Sequence, residues 1–177
     1  HGRLYRADGT AHSFRADDLD SAWPSRPAVA AAGDRLAVSW RDKTSSRGEA
    51  AGEYGRLFEA DGTPLGPSVL LGAPGHDGDR CVVALSERLA LFFWQHTDGT
   101  PESWMRVIDP RTGVAVTDAM VVTPPGDRAD ERPSVDAHFT DDGATVLLSW
   151  ESRAAGSDVY SIWSRRVDID IVDPAGR

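Results

Sequence analysis

The sequence predicts an all-β fold: a β-propeller or a propeller segment, with about three four-stranded antiparallel blades and a leading hairpin. Three observations lead there. First, Gly55-Arg56-Leu57-Phe58-Glu59-Ala60-Asp61-Gly62-Thr63 nearly copies Gly2-Arg3-Leu4-Tyr5-Arg6-Ala7-Asp8-Gly9-Thr10. Second, independent markers share one period. Gly9, Gly62 and Gly113 are spaced 53 and 51, Trp40, Trp94 and Trp150 are spaced 54 and 56, and Val29, Val83 and Val135 are spaced 54 and 52. An arginine (Arg26, Arg80, Arg132) stands three positions before each of these valines. Third, the runs inside each period are short, apolar and bounded by turn residues, and no stretch shows sustained helical periodicity.

Composition sets the limits. The chain has 177 residues, 40% of them hydrophobic, with six Trp, 17 Gly and 11 Pro, which suits one globular repeat domain with many turns. Net charge is −9, and Lys43 is the one lysine among 19 basic residues. The sequence pI is about 4.9. A nucleic-acid partner would need a concentrated basic surface, so none is expected. No apolar run is long enough to cross a membrane, so no membrane insertion is expected. No charged-then-apolar leader opens the sequence. Cys81 is the only cysteine, so neither an internal disulfide nor a cysteine-based zinc site can form. It lies in the apolar run Cys81-Val82-Val83-Ala84-Leu85, which predicts a buried, inert thiol.

Taken in order, residues 1–23 form a partial blade, and 24–79, 80–130 and 131–177 form blades, the last incomplete or irregular. The innermost strands carry small side chains: Ala28-Val29-Ala30-Ala31, Cys81-Val82-Val83-Ala84 and Ser134-Val135-Asp136-Ala137. The second strands end in tryptophan: Leu36 to Trp40, Leu89 to Trp94 and Val146 to Trp150. Alternation puts Leu36, Val38 and Trp40 on one face and Ala37 and Ser39 on the other. Third strands are expected over Tyr54 to Glu59 and Trp104 to Ile108, followed by the turns Asp61-Gly62 and Asp109 to Gly113. Fourth strands are expected over Ser68 to Leu71 and Met120 to Thr123. Two readings of the end remain open. Either Asp158 to Trp163 is a third strand and Ile169 to Val172 a fourth, or Ile171 to Gly176 aligns with Val107 to Gly113 and the sequence stops in a hairpin turn. Partial units at both ends predict that further blades come from the same chain or from a second copy.

The order Pro-x-Val, an apolar strand ending in Trp, a polar loop, then Tyr54-Gly55-Arg56-Leu57-Phe58-Glu59-Ala60-Asp61-Gly62-Thr63-Pro64-Leu65-Gly66 resembles repeats of large bacterial secreted and surface proteins predicted to form β-propellers. The resemblance covers nearly the whole chain. It implies a propeller and a secreted, periplasmic or cell-surface location. It leaves activity open, because propellers host enzymes, lectins and scaffolds alike. The second unit departs from the pattern, with Cys81 where Pro27 and Pro133 stand and no Gly-Arg-Leu.

The candidate binding residues lie in the variable loops after each tryptophan: Arg41 and Asp42, then His96 and Asp98, then Glu151 and Arg153. Arg26, Arg80, Arg132, Trp40, Trp94 and Trp150 read as structural markers of the repeat. Trp104 and Trp163 fall on third strands and read as packing. An amino-terminal histidine can clasp copper through its amine and ring, but His1-Gly2-Arg3-Leu4 aligns with Tyr54-Gly55-Arg56-Leu57, so a strand position explains it. Asp77-Gly78-Asp79 and Asp141-Asp142-Gly143 are too thin for calcium and read as turns. Thr97 to Trp104 matches the Asp box of sialidase propellers only loosely, since Asp98 and Gly99 are adjacent. No metal, cofactor or catalytic residue is assigned. The expected function is a non-catalytic binding or scaffold module for a protein or glycan ligand. A lectin-like carbohydrate binder is one alternative, and a glycoside hydrolase or lyase using Asp42 and Glu151 is another.

Overall fold

The computed structural model describes residues 1–5, 7–18, 24–43, 51–72, 78–96, 102–123, 131–153 and 159–171. Among them the chain is all strand and turn. A hairpin opens it, β1 (Gly2–Tyr5) and β2 (Ala11–Phe14). Next comes a four-stranded sheet in the order β3 (Pro24–Ala32), β4 (Arg35–Asp42), β5 (Gly52–Glu59), β6 (Val69–Leu70). The second four-stranded sheet runs β7 (Gly78–Leu85), β8 (Ala90–His96), β9 (Glu102–Ile108), β10 (Met120–Val121). The last sheet has three strands, β11 (Glu131–Thr140), β12 (Gly143–Arg153) and β13 (Tyr160–Asp170). Every pairing is antiparallel between chain neighbours, so each sheet is a meander. The sheets stack face to face through their first strands, with β7 against β3 and β4, and β11 against β7 and β8. This is the blade architecture of a propeller.

The repeat is kept in register. Trp40 pairs with Tyr54, Trp94 with Trp104 and Trp150 with Trp163. Each first strand carries a bulge at the same place, between Ser25 and Ala28, Gly78 and Cys81, and Glu131 and Ser134. The recurrent arginines occupy these bulges. Arg26 there has φ +52°, the left-handed conformation that a bulge can impose on one residue.

The Asp-Gly turns work as their chemistry predicts. Asp61 Oδ1 accepts the Thr63 amide at 2.8 Å and Asp8 Oδ1 accepts the Thr10 amide at 2.8 Å. Gly62 then takes φ +88° and Gly9 +83°, which other residues reach only with strain.

Three apolar layers lie between the sheets. Trp40, Val38, Tyr54 and Phe58 pack toward Phe14 of the opening hairpin and Ala16 just after it. On the other face of the same sheet, Ala37, Leu57 and Leu71 meet Cys81, Val83, Phe92 and Trp94. Leu91, Phe93, Met105 and Val107 then meet Val146, Leu148 and Trp150. Alternation therefore splits β4 and β8 between two neighbours, and both faces of each are buried because each is a blade-to-blade contact, while on β12 the face opposite Trp150 carries Leu147, which is 52% exposed. Gly55 belongs to this contact. A Cβ there would lie 2.6 Å from the Phe92 ring, so the recurrent glycine is the gap that Phe92 fills.

The opening hairpin covers only part of its neighbour. An apolar cavity of about 350 Å³ remains, bordered by Leu4, Phe14, Pro27, Val29 and Trp40. Val29 is 68% exposed, against 9% for its repeat partner Val83.

One expectation needs correcting. Ile169 and Asp170 do not start a fourth strand. β13 is continuous through Asp170, which pairs with Gly143, and the Ile171 amide donates to the Asp142 carbonyl at 2.7 Å. The β11–β12 hairpin is long, so its partner strand must run further before the chain turns. Ile171 thus lies just past the end of β13, level with the Asp141-Asp142 turn of that hairpin. Val172 and the residues after it lie outside the described residues.

Candidate functional site

The ends of the second strands and the starts of the third gather at one rim. Here β4 ends at Asp42, β8 at His96 and β12 at Arg153, while β5, β9 and β13 begin at Gly52, Glu102 and Tyr160. Polar groups are buried just inside this rim: Arg41, Asp42, Glu53, Gln95, Ser103 and Thr123. Arg41 pairs with Glu53 across β4 and β5, and Gln95 pairs with Ser103 across β8 and β9. The Ser103 amide donates to Thr123 Oγ1 at 2.5 Å, which ties β9 to the segment after β10.

A cleft of about 360 Å³ opens between the first and second blades at this rim. It is lined by Glu53, Leu71, Gly72, Trp94, His96, Trp104, Arg106 and Ala119. The His96 and Trp104 rings lie 6.2 Å apart at 55°. Trp104 Nε1 is buried and finds no hydrogen-bond partner among the described residues. Glu53 is 2% exposed, so its carboxylate sits low in the cleft wall. Its charge and, first, burial push the Cys81 thiol up. The cleft thus joins flat aromatic surface to a carboxylate acceptor and an indole donor.

The Arg106 guanidinium in this wall holds the two blades together. Its Nε donates to the Thr117 carbonyl at 3.1 Å, and Nη1 donates to the Leu70 and Leu71 carbonyls at 2.9 and 3.3 Å. The same arrangement recurs. Arg56 Nε donates to the Gly66 carbonyl at 2.8 Å and Nη1 to the Ala16 carbonyl at 3.3 Å, with Nη2 3.5 Å from Asp18. Arg165 Nη1 donates to the Val122 carbonyl at 2.5 Å. Arg56, Arg106 and Arg165 each stand two residues after the partner of the blade tryptophan. Each reaches the end of the preceding unit's last strand. Arginine suits this role because its fork can donate to several carbonyls at once.

The sequence-expected residues are distributed as follows. Arg41 and Asp42 are the last residues of β4 and are buried, so the loop starts later than the tryptophan suggested. His96 lines the cleft. Asp98 lies outside the described residues. Glu151 is half-buried on β12 opposite Ile162, and Arg153 closes β12 opposite Tyr160, its side chain outside the described residues. Asp42 and Glu151 stand on different sheets, with the β7–β10 sheet between them. Arg26 and Arg80 are exposed at their bulges, and the Arg132 side chain lies outside the described residues. Trp40, Trp94 and Trp150 are buried in the layers between blades. Sequence reasoning passed over Glu53, Arg106 and the arginine series. The signal was present in the repeated Gly-Arg-Leu, where Arg3 and Arg56 align. No group of three or more His, Cys, Asp or Glu suited to a metal ion occurs among the described residues.

No family model matches the chain, and no curated protein matches it. Among solved structures, the chain is similar to Bacteroides ovatus Xyloglucan PUL GH43B, at 13% sequence identity and a TM-score of 0.48. The likeness covers 86% of this chain and 28% of that one, so the chain spans about 28% of that protein's length.

Proposed function

We propose that the chain is a non-catalytic binding module of a secreted or surface β-propeller, and that a glycan seats in the cleft between its first two blades. The observation behind this reading is the buried Trp104 indole N–H, which has no hydrogen-bond partner among the described residues and lines the same cleft as the Glu53 carboxylate and the His96 ring. A sugar offers what those groups take: hydroxyls that donate to a carboxylate and accept from an indole, and a C–H face that packs on a ring. The cleft volume of about 360 Å³ falls at the small end of ligand pockets, room for one or two sugar units. The arginines, by contrast, are occupied in joining blades, and the blade tryptophans in packing them.

The test is a glycan array of neutral and acidic oligosaccharides, followed by calorimetric titration of any binder. Trp104→Ala and Glu53→Gln should each weaken binding about ten-fold or more, as loss of a central contact does. Binding that survives both substitutions, or a silent array with folded protein, refutes the reading.

A further inference from the structure

The cleft between the first two blades differs in two residues from the equivalent place between the second and third. The Leu71 amide donates to the Glu53 carbonyl at 2.8 Å, and the Val122 amide donates to the Ser103 carbonyl at 2.8 Å, so Gly72 and Thr123 hold matching positions. Thr123 fills its place: it is buried, and its Oγ1 accepts the Ser103 amide. Gly72 leaves its place open. A Cβ there would lie 3.3 Å from Nε1 of Trp94, so the N–H edge of that indole faces the gap. Glu53, which lines the cleft, stands where Ser103 stands one blade on, each just before the partner of the blade tryptophan. Gly for Thr and Glu for Ser thus give the first junction an opening and a charge that these positions of the second do not supply.

The groups around this opening select among sugars. The donors are the indole N–H groups of Trp94 and Trp104, the second buried with no hydrogen-bond partner among the described residues. The acceptor is the Glu53 carboxylate, whose two oxygens can accept a ligand N–H in addition to its contacts within the protein. Leu71 and Ala119 add apolar wall, and the Arg106 guanidinium is taken up by backbone carbonyls. A free amino sugar brings an ammonium, which only donates and leaves the indoles unmatched. A uronate or sulfate only accepts, and meets the Glu53 charge. A plain sugar can match the polar groups with one hydroxyl, but sets its others against apolar wall, where an unpaired hydroxyl is unfavourable. An acetamido group carries the whole complement in one unit: a carbonyl that accepts, an N–H that donates and a methyl for the wall. We infer that the cleft takes an N-acetylated amino sugar, its acetamido group seated over Gly72 with the carbonyl toward the indole N–H groups and the N–H toward Glu53. This rests on the glycan reading above and narrows it.

The experiment is saturation-transfer NMR on the full chain with N-acetylglucosamine and N-acetylgalactosamine, beside glucose, galactose and the two free amino sugars. An N-acetylated sugar binds roughly ten-fold or more tightly than its parent sugar and its free amine, and its acetyl methyl takes the strongest saturation. Trp104→Phe keeps a ring, removes the N–H and lowers that preference. Gly72→Thr, which copies the second junction, removes binding. The amide spectrum of each variant shows that it is folded, and the wild-type comparison stands without them. Parent sugars that bind as well as the N-acetylated ones, or an acetyl methyl no more saturated than the ring protons, overturn this inference and leave the glycan reading standing. So does an array that finds a glycan without acetamido groups while neither N-acetylated sugar binds. A silent array together with no binding of any of these sugars to folded protein overturns both.

Discussion

Replacing Arg106 with Met keeps the aliphatic stem and removes the guanidinium that joins the second blade to the first. Arg106 donates to Leu70 and Leu71 on the neighbouring blade and to Thr117 on its own. Hydrogen bonds from a charged donor contribute about 1.5–3 kcal/mol each, and a buried carbonyl left without its donor adds to the loss. Because the 2.9 and 3.3 Å contacts share one nitrogen, and the side chain is only partly buried, they count as little more than one bond. The expected cost of Arg106→Met is therefore about 2–4 kcal/mol. Arg56 has a longer 3.3 Å reach to its neighbour, and Arg56→Met should cost about 1–2 kcal/mol. Exposed Arg3 reaches no such carbonyl among the described residues, and Arg3→Met should stay within about 0.5 kcal/mol of wild type. Urea unfolding followed by tryptophan fluorescence measures all three. If Arg106→Met costs no more than Arg3→Met, the guanidinium does not join the blades and the reasoning fails.

Three further outcomes follow from the same structure. Gly55→Ala should cost about 1–3 kcal/mol by overpacking, since its Cβ would lie 2.6 Å from the Phe92 ring, and Phe92→Leu in the same chain should recover part of that loss in a thermal melt. The Cys81 thiol, pushed up by burial, should ignore a thiol reagent in native protein and react once urea unfolds it. Partial burial pushes Asp18 up, but the Ser68 hydroxyl and amide and the Arg56 charge outweigh it and hold the carboxyl below its ordinary value. A depressed folded value means the contribution is complete above the unfolded value near 3.9 and fades as pH falls through the lower folded one. Asp18→Asn should therefore flatten the stability slope below about pH 4 in acid titrations, and an unchanged slope would contradict the pairing.

Much of the fold was legible because a repeat shows each structural demand more than once. The tryptophans marked the second strands, Asp-Gly marked the turns, and the small runs marked the first strands. The end of the last blade was not legible, because its longer β11–β12 hairpin lets β13 run on to Asp170, past the point where β5 and β9 end, while the Trp150–Trp163 register is unchanged. The recurrent Arg before each Val was visible as a marker, yet its bulge was not, since a bulge shows itself only in the register of the partner strand. The third-strand arginines were harder still. Arg3 and Arg56 sit in matching words, but Arg106 stands between Met105 and Val107 and Arg165 between Ser164 and Arg166, so the flanking glycine and leucine are lost there. The cleft was illegible for a plainer reason. Glu53 and Trp104 are 51 positions apart and meet only when two blades stack.

Stacking is also where the account is most directly tested. In a nuclear Overhauser spectrum of the assigned protein, the α-protons of Gly55 should show strong contacts to the Phe92 ring and an upfield ring-current shift, because that ring fills the space a Cβ would take. Intact β-sheet signals with no Gly55–Phe92 contact would mean that the blades form without packing in this order, and the propeller arrangement would be wrong.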